Sequence, residues 1–350
     1  MKLAVIFGGM STEHDVSIVS GTSIIKNLKQ DKYDIYPIYI DGEGNWYKYT
    51  KKIEKIGTIE VGDKLDEIEK LDDPMNYLKQ MDCIFPVLHG LYGEDGTIQG
   101  LFELLKVPYV GCKVLASSVC MDKVYAKVIF EKAGLNQAKY VYIRKDKEKF
   151  RYIEENFEES ICTLEELSKK TEEKLEYPMF VKPSNSGSSV GIKKVKNKKE
   201  LEEAIVYAGK YDNKILVEQG IIGKEIECAV LGNEDVVASC VGEVLSAEEF
   251  YSFDSKYKNS ESRTVIPANI EESISEEIRK QAIKAYKAVS CSGLSRVDFF
   301  VEKGTNKVII NEINTLPGFT AISMYPKLFD AVGIKYSDLL DKIIELAMEK

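Results

Sequence analysis

The stretch SRVDFFVEKGTNKVIINEINTLPG (residues 295–318) carries the densest chemistry in the chain. VDFFVE and VIINEIN read as two strands around a turn at KGTN. A hairpin folded symmetrically about Thr305 sets Glu302 against Val308, Phe300 against Ile310 and Asp298 against Glu312. Alternation puts Asn314 on the face of Glu312, and Arg296 on that of Asp298. Directly opposed residues hold their Cβ atoms roughly 4.5–5.5 Å apart, so two facing carboxylates repel unless a cation joins them. Asp298, Glu312 and Asn314 offer the hard oxygen ligands that Mg²⁺ prefers, with positions left for water and phosphate. Arg296 would add a fixed positive charge beside that cation. The plain alternative is an exposed polar face.

A second candidate is KPSNSGSSVG (182–191), a lysine and a hydroxyl-rich loop between two β-like runs. The chain has no GxxxxGK[ST] phosphate loop and no GxGxxG dinucleotide fingerprint. Gly187 and Gly191 would let successive N–H groups face an anion, with Lys182 at the strand end beside them. By itself the loop suits a flap over phosphates and a solvent hairpin equally well. ILVEQGIIGKEIE supplies Glu218, Glu225 and Glu227. A carboxylate near a strand end can accept from ribose hydroxyls, although surface glutamates give the same pattern. Glu13, His14, His89 and Glu94 sit in two polar loops that follow apolar strands. Lys123, in CMDK near a helix start, fits a phosphate contact or a solvated surface charge.

These residues need a frame to position them. KLAVIF (2–7), YDIYPIYI (33–40), CIFPVL (83–88) and VPYVG (107–111) read as strands, with helices at 16–28 and over IQGLFELL. That alternation predicts a parallel α/β domain, whose ligands lie at the carboxyl ends of its strands. Both polar loops sit there. Beyond a helix (122–133) and a strand (139–143), the Lys/Glu-rich segment 144–175 reads as a solvated helical pair. From 178 onward the runs suggest antiparallel strands, with helices at 198–209 and 271–290 and an amphipathic helix at the end. The expected division is 1–118, 119–213 and 214–350.

Composition narrows the function classes. A net charge of −9 argues against wrapping nucleic acid, which wants a basic surface. No run is long enough for a membrane helix, and the five apolar residues before Gly8 are too few for a signal peptide core. Seven scattered cysteines without CxxC spacing read as free thiols of a reducing cytoplasm. Two histidines argue against a His-built zinc site.

GGMSTEHDVS, LHGLYGEDGTIQG, CMDK, VKPSNSGSSVG, FYSFDSKY, SRVD and INEINTLPGFT occur in that order. Together they resemble the bacterial D-alanine–D-alanine ligases of the ATP-grasp superfamily, over about residues 3–345. The resemblance implies an α/β fold, α+β in its ATP-binding part, of three domains around a cleft. It implies ATP as co-substrate and two Mg²⁺ ions, with Mn²⁺ as an alternative. Asp298, Glu312 and Asn314 match the metal ligands. Lys123 and Lys182 match phosphate contacts, Ser189 an ATP-binding position in the flap, Glu218 the adenine-side acid and Glu225 the ribose ligand. Glu13, Ser188 and Tyr257 match a hydrogen-bonded triad closing the flap. Arg296 and the Gly318 N–H match the oxyanion donors, while Glu13 and His89 match the hold on the first D-alanine. Lys256 and Ser323, with Met324, match the second substrate's site. The family also implies a cytoplasmic homodimer with D-alanine and ATP as partners, and no nucleic acid or membrane. Two positions depart from the pattern. Ile322 stands where the TxHS stretch has His, which leaves a D-serine acceptor as the alternative. Phe253 replaces a tyrosine of YDYxxKY. Tyr257 counts against D-lactate. A nucleotide-binding protein without turnover would be expected to lack a metal ligand or Arg296, and this chain has them all.

Overall fold

The computed structural model describes residues 1–50, 68–245, 263–320 and 322–349. β1 (Lys2–Gly8) is buried from Leu3 onward, as a central parallel strand must be. It leads through α1 (His14–Asn27) to β2 (Asp34–Ile40), then to the short β3 (Trp46–Tyr49) and β4 (Ile68–Lys70). After α2 (Pro74–Leu78), β5 (Cys83–Val87) joins β1 from the other side, and α3 (Thr97–Leu105) follows. The sheet order is β4-β3-β2-β1-β5, with β2 and β5 parallel to β1. At Gly8 (φ +92°) the chain leaves the sheet, and a Cβ there would lie 2.2 Å from the Ile40 carbonyl oxygen. The expected strand at 107–111 is reduced to one bridge, Tyr109 with Ile84.

α4 (Val114–Met121) and α5 (Lys123–Lys132) lead into a six-stranded antiparallel sheet. Its strands are β6 (Tyr140–Asp146), β7 (Lys149–Ile153), β8 (Glu159–Cys162), β9 (Met179–Pro183), β10 (Lys193–Val195) and β11 (Lys214–Gln219). They lie in the order β10-β9-β11-β6-β7-β8. α6 (Leu164–Lys174) and α7 (Lys198–Ala208) complete this unit. The segment 144–175 is therefore not a helical pair. Phe150 and Tyr152 bury at period two, and Arg144 and Arg151 pair with Glu159 across the strands. Helical signals begin only at the Thr163–Glu166 capping box.

The third sheet holds β12 (Gly223–Leu231), β13 (Val237–Leu245), β14 (Arg263–Val265), β15 (Leu294–Glu302) and β16 (Val308–Asn314), ordered β14-β13-β12-β15-β16. α8 (Glu272–Ala288) buries Ile278, Ala282 and Tyr286 against it. α9 (Met324–Ala331) and α10 (Tyr336–Met348) close the chain. Leu339, Leu340, Ile343 and Ile344 of α10 share a core with Leu3, Val5 and Phe7 of β1. Lys29 reaches Asp338 and Asp341 of α10 at 2.7 and 2.9 Å, so the C-terminal helix is tied back to the first sheet.

The β15–β16 register departs from a symmetric hairpin. Val301, not Glu302, faces Val308, and Phe299 faces Ile310. A bulge then takes up the extra residue Asn311, and beyond it Asp298 faces Glu312 and Arg296 faces Asn314.

Candidate functional site

A cleft of about 1220 Å³ opens between the second and third sheets, with the loops after β1 and β5 at one end. Every expected site residue among the described residues lines it. Lys256, Tyr257 and Phe253 lie outside the described residues.

At the loop end, Glu13 stands at the N-terminus of α1 without capping it through its side chain, and accepts a hydrogen bond from the Ser188 hydroxyl. A Cβ at Gly90 or Gly187 would stand 2.4 or 2.8 Å from the other Glu13 oxygen, so both glycines are needed for this close approach. Ser188 and Ser189 both hold left-handed backbone (φ 47° and 61°), an uncommon state for non-glycine residues. His89 is buried and uses both ring nitrogens. Nδ1 donates to the Leu316 carbonyl at 3.1 Å, which fixes the tautomer, and Nε2 faces Ser20 Oγ at 3.1 Å. Burial pushes its pKa down, keeping the ring neutral. Glu94 accepts from the Gly90 N–H at 2.8 Å and from the Leu316 N–H at 3.0 Å. Burial, then the Glu13 charge, push its pKa up to about 8. Beyond that turn, Ser323 Oγ accepts from the Thr320 N–H at 3.0 Å and lies against Gly318. Met324 starts α9 with its methyl over Gly242.

Lys123 stands at the first turn of α5, where Asp122 caps the helix. Its backbone N–H donates to the Ser184 carbonyl and its ammonium to that of Ser186, both at the base of the serine loop. Lys182 from β9 pairs with Glu218 from the neighbouring β11, and buried Lys127 pairs with the other carboxylate oxygen. Burial alone would raise the Glu218 pKa, but the two ammonium groups outweigh it and hold it near 2. Lys127 carried no sequence signal, because one lysine on a helix of mixed charge looks solvated. Glu225, on β12, lines the same stretch of cleft.

On the third sheet, register places Glu227, Asp298 and Glu312 side by side on three adjacent strands. Arg296 donates twice to Asp298 at 2.7 Å and lies 3.1 Å from Glu227. Asn314 Nδ2 donates to Asp298 at 2.9 Å. Burial opposes the Arg296 charge, yet the carboxylates hold its pKa well above the usual range. Among the described residues no three His, Cys, Asp or Glu side chains form a metal-binding group; Asp298, Glu312 and Asn314 would offer a cation two carboxylates and an amide. That donor set suits a hard cation that completes its shell with water and phosphate.

Two family models match the chain: the D-ala D-ala ligase N-terminus over residues 2–112 and the D-ala D-ala ligase C-terminus over residues 129–345. The D-alanine–D-alanine ligase of Acetivibrio thermocellus is 49% identical over 373 residues, covering 100% of this chain and 96% of the relative. That of Clostridium acetobutylicum is 50% identical over 351 residues, covering 100% and 98%. Among solved structures, VanG D-Ala:D-Ser ligase from Enterococcus faecalis matches with a TM-score of 0.85 at 38% identity, over 99% of each chain. The D-alanine-D-alanine ligase from Coxiella burnetii matches with a TM-score of 0.80 at 35% identity, over 99% of this chain and 93% of that one.

Proposed function

The chain belongs to the D-alanine–D-alanine ligase family, and from this premise we propose how its residues carry the reaction. The protein is an ATP-dependent carbon–nitrogen ligase of ATP-grasp fold that joins two D-alanines for peptidoglycan. The division 1–118, 119–213 and 214–350 is proposed with it, its second boundary moved past β11, because Lys214–Gln219 pairs with β6 and β9 inside the second sheet. In the proposed sequence the carboxylate of the first D-alanine attacks the γ-phosphorus of ATP, and ADP leaves. The amine of the second D-alanine then attacks the acyl phosphate carbon, gives up a proton, and phosphate leaves.

The observation that supports these roles is convergence. Residues as distant as Glu13 and Ser188 meet in one cleft with the acidic row of the third sheet. Glu13 and the His89 loop would hold the first D-alanine. Lys123, Lys182 and Ser189 would take the phosphates, Glu218 the adenine amine and Glu225 the ribose. Arg296 and the Gly318 N–H would face the oxyanion. Ser323, Met324 and Lys256 would shape the second site, and Tyr257 would complete the Glu13–Ser188 closure. Asp298, Glu312 and Asn314 would hold Mg²⁺, two ions or Mn²⁺ in their place, which would neutralise charge on the transferring phosphoryl group. The closed serine loop would keep water from the acyl phosphate.

Ile322 supports a second reading for the acceptor. It lines the cleft next to Ser323, is 61% exposed, and brings an apolar side chain where family members have an imidazole. Phosphate release with D-alanine alone, yielding the dipeptide by mass, fits the main reading, and release only with added D-serine fits the alternative. A homodimer is also proposed, supported by Leu104 and Leu115, 83% and 63% exposed on α3 and α4. All seven cysteines are free thiols, which supports a cytoplasmic setting. Among the described residues no helix is long and apolar enough to cross a membrane.

A further inference from the structure

We infer that Glu94 is a positioning residue for the oxyanion-binding turn, acting with His89 to grip Leu316 and so fix the Gly318 N–H. The inference rests on the ligase reading above. Leu316 has one backbone donor and one acceptor, and the 89–94 loop takes both. Its N–H donates to Glu94 at 3.0 Å, and its carbonyl accepts from His89 Nδ1 at 3.1 Å. Glu94 is itself anchored, because its second oxygen accepts from the Gly90 N–H at 2.8 Å. The turn is also held beyond Gly318. The Phe319 N–H approaches Ser20 Oγ at 3.4 Å, and that hydroxyl faces His89 Nε2 at 3.1 Å.

Between these two anchors stand only Pro317 and Gly318. Proline has a fixed φ and no N–H, so it passes the orientation of Leu316 on to Gly318. Glu94 thus governs the direction of a donor without touching the reacting atoms. An amide at position 94 keeps one acceptor oxygen but points its NH₂ at the other backbone N–H, which opens one side of the grip. Full loss of an oxyanion donor lowers kcat about 10²- to 10³-fold, so a misaimed donor should cost roughly 10- to 100-fold.

The test is Glu94→Gln in the full chain, read by kcat, by KM for ATP and D-alanine, and by affinity for a dipeptide phosphinate. The tetrahedral phosphorus of that compound mimics the intermediate, so its affinity follows transition-state contacts. The expected result is a kcat loss of about 10- to 100-fold, an equal loss of phosphinate affinity, and both KM values within about twofold. Unchanged kcat and phosphinate affinity overturn the inference. So do KM values that rise in step with the phosphinate loss, since they mean general disorder of the site. Glu94→Asp keeps both carboxyl oxygens but shortens the reach, and it enters the same assays, with the same losses expected, if the melting curve shows the amide variant unfolded. Absence of dipeptide from the wild-type chain overturns the ligase reading itself. Wild-type turnover with an unaltered variant overturns only the role of Glu94.

Discussion

Ser188→Ala tests the closure of the serine loop most directly. The substitution removes the hydroxyl that donates to the Glu13 carboxylate, and it keeps the Cβ. Its left-handed backbone (φ 47°) is as costly for alanine as for serine, so the change reports the hydrogen bond alone. Hydrogen bonds to charged groups contribute about 1.5–3 kcal/mol. This one is partly buried, which favours the lower half of that range, about 1.5–2 kcal/mol or roughly 10- to 30-fold in the closing equilibrium. The close approach of Gly90 and Gly187 to Glu13 survives the substitution, so closure is weakened and not abolished. The assay pairs phosphate release with dipeptide yield. The expected result is a kcat/KM lower by about 10- to 30-fold and more than one phosphate released per dipeptide, as water reaches the acyl phosphate. A kcat/KM within about twofold of wild type, with one phosphate per dipeptide, would refute the reasoning.

Three further outcomes are expected. Asp298→Asn turns an amide NH₂ toward Arg296 and Asn314, which both donate to this carboxylate, while Glu227 still compensates the guanidinium. Stability should fall by about 1–3 kcal/mol and turnover by 100-fold or more, and full activity at saturating Mg²⁺ would remove Asp298 from the metal site. Burial raises the Asp341 pKa, but Lys29, Tyr33 and Lys32 outweigh it and hold it below its ordinary value. Such a group stabilises the fold above its unfolded pKa, near 3.9, and loses that contribution as pH falls through the lower folded value. Melting temperature should therefore drop below about pH 4 in the wild type and vary less over that window in Asp341→Asn; identical profiles would count against this ion pair. Gly8→Ala brings a Cβ to 2.2 Å from the Ile40 carbonyl at φ +92° and should cost about 2 kcal/mol or more in a denaturant melt.

Where pattern and physics coincide, the chain was readable. β1 is an unbroken apolar run and had to be a central strand, and the loops that follow β1 and β5 had to lie at the rim of a parallel sheet. The misread segment 144–175 shows the limit. Lysines and glutamates crowd it, and a high charge density resembles a solvated helix. The deciding signal was Phe150 and Tyr152 at a spacing of two, too short to stand out before the sheet supplied partners for it. The strand expected at 107–111 failed for the opposite reason. Its residues are apolar enough, but the chain touches the edge of β5 at one residue and then turns toward α4. Lys127 was silent as a site residue, and Glu94 was legible only as a loop neighbour of His89, for a third reason. Their significance lies in what they meet, Glu218 in one case and Leu316 in the other, and both encounters depend on the tertiary fold.

The β15–β16 hairpin separates two kinds of specification. Turn geometry sets the register near Thr305, and there the symmetric expectation is off by one residue. A slip carried through the whole hairpin would turn Asp298 away from Glu312 and put apolar residues in the cleft. The bulge at Asn311 absorbs the slip before the chemistry begins, so Asp298 still faces Glu312 and Arg296 still faces Asn314. The apolar side chains enforce this. Val297, Phe299, Ile310 and Ile313 all belong to one buried cluster, and only a compensating bulge lets them stay inward on both sides of the irregularity. The acidic row is thus held in register by the core behind it, and Arg296 lowers the repulsion that this row would otherwise suffer. The carboxylate pairing was legible because the core demands it, and the bulge was not, because any small polar residue at 311 could have supplied the extra length.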